Sequence, residues 1–161
     1  MPTAIVTGAS RGLGFENAKG LAAQGYEIVM VAKDQGRLSL AQQTLQQQFP
    51  GALFSTYAVD LEDLAATRAT ANQIASEHPA ADVVILAHGV MSEKMSKTLR
   101  TTDDEWRRVM AINLDSVFIL VNGLVPSMAE ARKGRVIIYS ACLGRMSGPG
   151  NAGGLAPYRQ Q

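Results

Sequence analysis

Three closely spaced glycines near the start of the chain could hold a phosphate group. The segment 7–14 reads TGASRGLG and joins a short apolar run to a predicted helix. Gly8 permits a tight turn with positive φ, Gly12 lets backbone approach a pyrophosphate, and Gly14 lets the helix pack closely on its strand. Free N–H groups and the dipole at a helix N-terminus favour negative charge. The segment therefore predicts a dinucleotide site; the alternative is a glycine-rich turn without a ligand.

Strands and helices alternate along the chain and would position such a site. Apolar runs bounded by glycine, proline or polar residues predict five strands, over residues 4–6, 27–32, 53–59, 82–87 and 135–140. Helices are predicted over residues 15–24, 37–48, 60–77 with Asp60 as N-cap, and from the Thr102–Glu105 capping box past Phe118, with a kink at Pro126. This alternation predicts an α/β fold, a doubly wound, Rossmann-like parallel sheet in three α/β/α layers, as one domain over residues 1–161.

Bulk composition limits the classes of partner. Of the 161 residues, 47% are apolar and 18% are charged, and the formal net charge is +1. That balance allows a buried core and indicates no general affinity for nucleic acid or anionic membranes. The single cysteine, Cys142, excludes an internal disulfide. Because no leader and no membrane-spanning apolar run is predicted, we expect a cytoplasmic protein. We assign no metal ligands.

The glycine spacing differs from the G-x-G-x-x-G fingerprint and resembles the T-G-x-x-x-G-x-G turn of the classical short-chain dehydrogenase/reductase family. The resemblance covers nearly the whole chain but only the N-terminal portion of the family fold. It implies hydride transfer between a nicotinamide cofactor and a small carbonyl or alcohol substrate, in a homo-oligomer. Within the turn it assigns cofactor contacts to Gly8, Ser10, Arg11, Gly12, Leu13 and Gly14.

The end of the second predicted strand bears on which cofactor binds. An acidic residue there hydrogen-bonds the ribose 2′-hydroxyl of NAD, whereas a nearby cation accommodates the 2′-phosphate of NADP. Ala32 occupies the place where NAD-preferring members of the family carry Asp. Lys33 and Arg11 match the two basic positions of NADP-preferring members. We therefore expect NADP. NAD is the alternative, because Asp34 follows Lys33 directly. A further interpretation is that Lys33 and Arg11 are ordinary solvated charges.

The resemblance also assigns cofactor contacts after the third and fourth strands. Asp60 matches a residue that contacts the adenine ring, with Leu61 beside it. Ala87 and Gly89 lie where the family has Asn-Asn-Ala-Gly, but this chain reads Leu-Ala-His-Gly, so both asparagines are absent. In that run, His88 either points at the cofactor or is a polar substitute at a strand end.

Proton transfer in the family uses Ser, Tyr and Lys, supported by an Asn on a helix. Tyr158 resembles the catalytic Tyr, and Asn113 resembles the Asn whose backbone or side chain helps hold a water in the proton relay. A Tyr with an ordinary pKa of about 10 is a poor acid–base group at neutral pH. In the family the Lys contacts the nicotinamide ribose and lowers that pKa.

Two of these catalytic positions depart from the family pattern. Ala141 occupies the place of the catalytic Ser, so Ser140 orients the substrate only if the strand end is bent, and Ser147 is the other candidate. The Lys position lies one residue past Gln161. Residues 136–139 are all apolar, so we expect other segments to cover their strand on both faces. We therefore expect a C-terminally incomplete fold, as a fragment or as a chain that needs a partner.

Three functions stay open on these grounds. The first is an NADP(H)-dependent oxidoreductase with Tyr158 as its acid–base group. The second is a catalytically silent relative that binds the nucleotide, which Ala141 would allow. The third is a structural or interaction role for a truncated product. Binding of NADPH separates the third from the others, and carbonyl-dependent NADPH oxidation separates the first from the second.

Overall fold

A parallel five-stranded sheet forms the centre of the fold over residues 1–93 and 98–141, the part of the chain that the computed structural model describes. The strands are β1 (Thr3–Thr7), β2 (Glu27–Ala32), β3 (Phe54–Ala58), β4 (Ala81–Leu86) and β5 (Arg135–Ile138). The helices are α1 (Gly12–Ala23), α2 (Gln35–Gln48), α3 (Leu64–Glu77), α4 (Asp103–Met110), α5 (Ser116–Leu124) and α6 (Pro126–Ala131). The predicted doubly wound α/β fold is confirmed.

The inner strands of the sheet are buried on both faces, as the side chains of β2 show. Ile28 and Met30 pack with residues of α1 and α2, whereas Val29 and Val31 pack with residues of α3 and α5. All four side chains are fully buried. Successive side chains of a strand point to opposite faces, so a continuous apolar run is what a sheet between two helical layers requires.

The spatial order of the strands is β3-β2-β1-β4-β5, so the chain reverses its direction of winding between β1 and β4. In open parallel sheets of this kind, ligands bind outside the carboxyl ends of the strands at that reversal. The glycine turn leaves β1 at this point. The fold therefore places the turn beside the carboxyl ends of β2 and β4.

The prediction that Asp60 caps the third helix is wrong. Helix α3 begins at Leu64, and the side chain of Asp63 caps it by accepting a hydrogen bond of 2.9 Å from the Ala66 N–H. Asp60 instead accepts from the Glu62 N–H at 3.1 Å, in the turn before the helix. Two aspartates three residues apart compete for one cap, and the turn between them decides in favour of the second.

The long helix predicted from Thr102 is divided. The Thr102 side chain does accept from the Glu105 N–H, at 3.2 Å, as the capping box predicts. Helix α4 then widens into a π turn (Ala111–Asp115) before α5 continues. Pro126 begins α6 and does not kink α5, since a proline at the first helical position needs no N–H partner.

Strand β5 ends at Ile138, two residues earlier than predicted, and it pairs with β4. Val136, Ile137 and Ile138 are 38–49% exposed. In the part of the chain that the structure describes, this apolar strand is therefore only partly covered. Within the described ranges, no helix has the length and apolar character needed to cross a bilayer.

Candidate functional site

The glycine turn packs directly against the end of β4. Gly8 has φ +65°, and a Cβ there would lie 3.0 Å from the Ala87 carbonyl oxygen. A Cβ on Gly14 would overlap the Gly8 carbonyl group. Gly12 also has positive φ, +58°, but a Cβ on it would meet nothing within 4 Å. Gly8 and Gly14 thus serve the packing of the turn, while Gly12 faces open space.

Helix α1 begins at this turn without a side-chain cap. Its N-cap, Arg11, has extended backbone and makes no side-chain cap hydrogen bond. Helices α2, α3 and α4 are capped by the side chains of Asp34, Asp63 and Thr102. The first N–H groups of a helix need acceptors from outside. At α1 these donors and the positive end of the helix dipole are available to an anion.

A cleft of about 800 Å³ opens over this helix end, along the carboxyl edge of the sheet. Ten of the residues assigned to the cofactor by resemblance line it: Gly8, Ser10, Arg11, Gly12, Leu13, Lys33, Asp60, Leu61, Ala87 and Gly89. Gly14, the eleventh, lies beneath the turn. We call the part over β2 and β3 the β2 end, and the part lined by residues 87–90 and Ile112 the β4 end.

Charged side chains gather at the β2 end. Lys33 and Asp60 form an ion pair of 2.6 Å, although their side chains are 69% and 38% exposed. The hydrogen bond to Asp60 and its charge raise the pKa of Lys33. Burial acts to raise the pKa of Asp60, but hydrogen bonds from Lys33 and the Glu62 N–H hold it below its usual range. An exposed pair of this kind contributes little stability.

Asp34, the residue that keeps NAD as an alternative, is occupied in helix capping. Its carboxylate accepts from the Arg37 N–H at 2.8 Å as the N-cap of α2. Arg37 itself lines the cleft, near Lys33 and Arg11. Sequence reasoning did not include Arg37. The available signal was its place at the start of the helix predicted to follow the second strand.

His88 lies at the β4 end and is bonded on both ring nitrogens. Nδ1 lies 2.6 Å from Thr7 Oγ1, and Nε2 lies 2.9 Å from Ser116 Oγ. Burial lowers the pKa of His88 to about 4, against a smaller raising effect of the Ile112 carbonyl. The ring is therefore neutral at ordinary pH. The sequence analysis included Thr7 only as part of the glycine turn and did not include Ser116, because each is an ordinary polar residue until the fold brings it to His88.

Asn113 lies in the π turn and holds the same stretch of chain. Its Oδ1 accepts from the Val90 N–H and its Nδ2 donates to the Val90 carbonyl, both at 2.8 Å. The residue is 6% exposed. Since one side chain satisfies both polar groups of Val90, it replaces a missing piece of sheet ladder. The predicted relay asparagine thus clamps the end of the β4 segment through its side chain.

Ser140 follows β5 at the carboxyl edge of the sheet. Leu86 pairs with Ile138, so Ser140 stands about level with His88, each two residues beyond its pair. Ser140 does not line the cleft. Between them, the Tyr139 N–H donates to the Leu86 carbonyl at 3.0 Å and continues the ladder. Tyr158 and Ser147 lie outside the described residues.

Comparisons with known proteins agree with this geometry. The family model for short chain dehydrogenases matches residues 2–153. The chain is 31% identical to 3-oxoacyl-(acyl-carrier-protein) reductase FabG of Chlamydia trachomatis, over 92% of this chain and 58% of the relative. It is 28% identical to the reductase of the same name from Escherichia coli, with the same coverage. The chain thus spans a little over half the length of these relatives.

Solved structures show the same likeness. A metagenomic short-chain oxidoreductase in complex with NADP matches with a TM-score of 0.87 and 28% identity, over 99% of this chain and 68% of that one. L-Sorbose reductase from Gluconobacter frateurii, complexed with NADPH and L-sorbose, matches with a TM-score of 0.80 and 27% identity, over 89% and 53%. The glycine turn, the cleft at the strand reversal and these matches together lead to one conclusion. The chain belongs to the short-chain dehydrogenase family.

Proposed function

We propose that this chain is an NADP(H)-dependent oxidoreductase that moves hydride between nicotinamide and a small carbonyl or alcohol substrate. The observation that carries the proposal is the uncapped N-terminus of α1 opening into a cleft whose β2 end holds Arg11, Lys33 and Arg37. A dinucleotide carries a pyrophosphate, which suits the helix end, and NADP adds a 2′-phosphate, which suits the cations.

The choice of NADP over NAD rests on charge at the β2 end. Ala32 lines the cleft where an acidic side chain would bind a 2′-hydroxyl, and the carboxylate of Asp34 is engaged by the Arg37 N–H. Lys33 is exposed and can exchange Asp60 for a phosphate, because an exposed ion pair is weak. Two similar structures were solved with NADP or NADPH bound.

Each residue has a definite task in the proposed reaction. The bound nicotinamide supplies or accepts the hydride. Gly12 and the first N–H groups of α1 hold the pyrophosphate, and Lys33 holds the 2′-phosphate. Tyr158 passes a proton to or from the substrate oxygen at its hydroxyl. Ser140, which does not line the cleft, orients that oxygen only if the end of β5 bends towards it. The side-chain amide of Asn113 is already hydrogen-bonded to Val90. We therefore assign the backbone of Asn113, and not its side chain, to holding the water of the proton relay.

A silent nucleotide-binding relative is the second candidate. It is favoured by Ala141, which stands where the family carries its catalytic Ser. It predicts NADPH binding without carbonyl-dependent oxidation of NADPH. The oxidoreductase predicts both, and substituting Tyr158→Phe should abolish oxidation while NADPH still binds.

Titrations with NADPH and NADH test the cofactor assignment. We expect NADPH to bind at least about tenfold more tightly, since a charge-assisted phosphate contact contributes about 1.5–3 kcal/mol. Lys33→Ala should reduce that preference several-fold. Arg107→Ala removes an exposed cation that does not line the cleft and should leave the preference intact. Equal affinity for both nucleotides would contradict the NADP assignment.

The proposal extends to location and assembly. A cytoplasmic enzyme that forms homo-oligomers is expected from the family resemblance. Cell fractionation would test the location. Light scattering at several concentrations would test the assembly, and a monomer at all concentrations would contradict it.

A further inference from the structure

The strongest unexplained feature is the wall of the cleft at His88. The ring joins β1, through Thr7, to the start of α5, through Ser116, and it lines the β4 end. Thr7 and Ser116 are both fully buried. Each hydroxyl group also has a backbone partner, and the imidazole supplies the contact that each still lacks: an acceptor for the Thr7 proton and a donor for the Ser116 oxygen. Thr7, His88 and Ser116 thus form a hydrogen-bond network inside the wall of the cleft.

The directions of the hydrogen bonds between Thr7, His88 and Ser116 follow from the number of protons that each group can donate. Ser116 donates its only hydroxyl proton to the Ile112 carbonyl at 2.6 Å, so its oxygen can only accept from His88 Nε2. Thr7 Oγ1 accepts from the Ala87 N–H at 3.2 Å, which leaves its proton for His88 Nδ1. A neutral imidazole has one donor and one acceptor. The Ser116 end therefore requires the proton on Nε2, and the Thr7 end, whose hydroxyl proton is then donated to Nδ1, is consistent with it.

The hydrogen bonds of His88 and those of Asn113 hold the same short segment, residues 88–90, from two sides. His88 is tied to Thr7 and Ser116, and Val90 is tied on both polar groups to Asn113. Gly89, the residue between them, is exposed and lines the cleft. Two fixed neighbours leave the intervening peptide groups little freedom. The backbone of Gly89 is thereby presented to the cleft in one arrangement.

We propose that His88, held as its Nε2–H tautomer between Thr7 and Ser116, is a positioning residue for the half of the dinucleotide that lies over β4. It acts through the backbone of residues 88–90 and not by accepting or donating the reacting proton. This inference rests on the proposed function, because it assumes that a dinucleotide occupies the cleft. The β2 end, with its own charged groups, is independent of it.

Binding of two probes separates this role from a general loosening of the fold. NADPH reaches both ends of the cleft, whereas adenosine 2′,5′-bisphosphate has only the groups expected at the β2 end. In the full chain, Ser116→Ala and His88→Ala should weaken NADPH about tenfold, as expected for a lost hydrogen-bonded support. Both should leave the affinity for the bisphosphate unchanged.

Thr67→Val is the matched control. Thr67 is also fully buried and also donates to the carbonyl four residues earlier, at 2.8 Å, but it lies on α3 and does not line the cleft. It should leave the affinities for both probes unchanged. Equal weakening of both probes in Ser116→Ala would overturn the proposal, and so would no weakening of either. If His88→Ala fails to fold, Ser116→Ala decides.

A measurement without ligand keeps the inference distinct from the proposed function. In two-bond ¹⁵N–¹H spectra, His88 should show a protonated Nε2 and an unprotonated Nδ1, with His78→Gln used to assign the two histidines. Amide exchange in Ser116→Ala should accelerate at residues 88–90 and not at residues 32–34. An Nδ1–H tautomer or uniform exchange would overturn the inference. Failure of the native chain to bind either probe would count against the proposed function alone.

Discussion

The two ends of the cleft are built from opposite materials. At the β2 end, Lys33 and Asp60 have charged, exposed side chains that form an ion pair with each other. At the β4 end, Thr7, Ser116 and Asn113 are neutral, buried and fully engaged in hydrogen bonds with the backbone or with His88. Exposed charges attract a ligand over distance and are screened by salt, whereas buried neutral networks hold geometry. We infer that the β2 end selects the cofactor and the β4 end sets its position.

The two ends also differ in how they respond to the loss of a hydrogen-bonding partner. Lys33 can replace one acceptor by another at small cost, because water solvates both. The buried hydroxyl groups around His88 have no such replacement, so losing one partner leaves an unsatisfied group. An engineered change of cofactor preference should therefore be sought at the β2 end.

The largest expected effect comes from the turn that supports both ends. In Gly14→Ala the new Cβ would overlap the Gly8 carbonyl, which is backbone and cannot yield without moving the turn. We expect a loss of about 3 kcal/mol in the free energy of unfolding and loss of binding at both ends. Urea denaturation measures the first and nucleotide titration the second.

Gly20→Ala, on the same helix, is the control. A Cβ at Gly20 meets nothing within 4 Å, so this change should stabilise α1 by up to about 1 kcal/mol. If the two variants had equal stability, the close packing of Gly14 on the turn would be contradicted.

The next effect concerns the β4 end and its dependence on pH. The folded-state pKa of His88 is lowered to about 4, while an unfolded His titrates near 6.5. Below the unfolded pKa the unfolded chain binds the extra proton, so folding stability falls as the pH falls and levels off below about 4. Between about pH 7 and pH 5 the titration of His88 should lower the free energy of unfolding by about 2 kcal/mol.

His88→Asn isolates this contribution from other acid-sensitive groups. The native chain should be the more stable at pH 7, and its advantage over the variant should shrink as the pH falls. Urea denaturation of both proteins across this range measures the change. An advantage that stays constant would show that His88 titrates normally in the folded chain.

The smallest effect sharpens the role of the β2 end. Asp60→Asn removes the carboxylate that pairs with Lys33 and keeps a hydrogen-bonding side chain of the same size. Lys33 would then be available to a phosphate, and we expect NADPH to bind about threefold more tightly at low salt, with the gain reduced by added salt. Fluorescence titration at two salt concentrations checks both parts. Equal changes for NADPH and NADH would mean that Asp60 acts on the adenine and not on the 2′-phosphate.

Much of the fold could be predicted because its signals are local. Apolar runs of three to seven residues that alternate with helical segments identify every strand to within two residues at each end. The errors have local causes too. Asp60 and Asp63 are equally good caps by chemistry, and the π turn between α4 and α5 leaves no mark in the apolar rhythm.

The candidate site divides in the same way. The residue types and spacing of the sequence by itself determined the strand–turn–helix with its glycines. The family resemblance assigned Lys33 and Arg11 to a 2′-phosphate, and that assignment stays a prediction. Only the tertiary structure decided that Asp34 is engaged as a cap, that Arg37 joins the cations, and that Thr7 and Ser116 meet at His88. Thr7 and Ser116 are separated by most of the chain. Glycine geometry and helix dipoles are properties of a short segment, whereas a hydrogen-bond network between distant segments exists only once the sheet has brought them together.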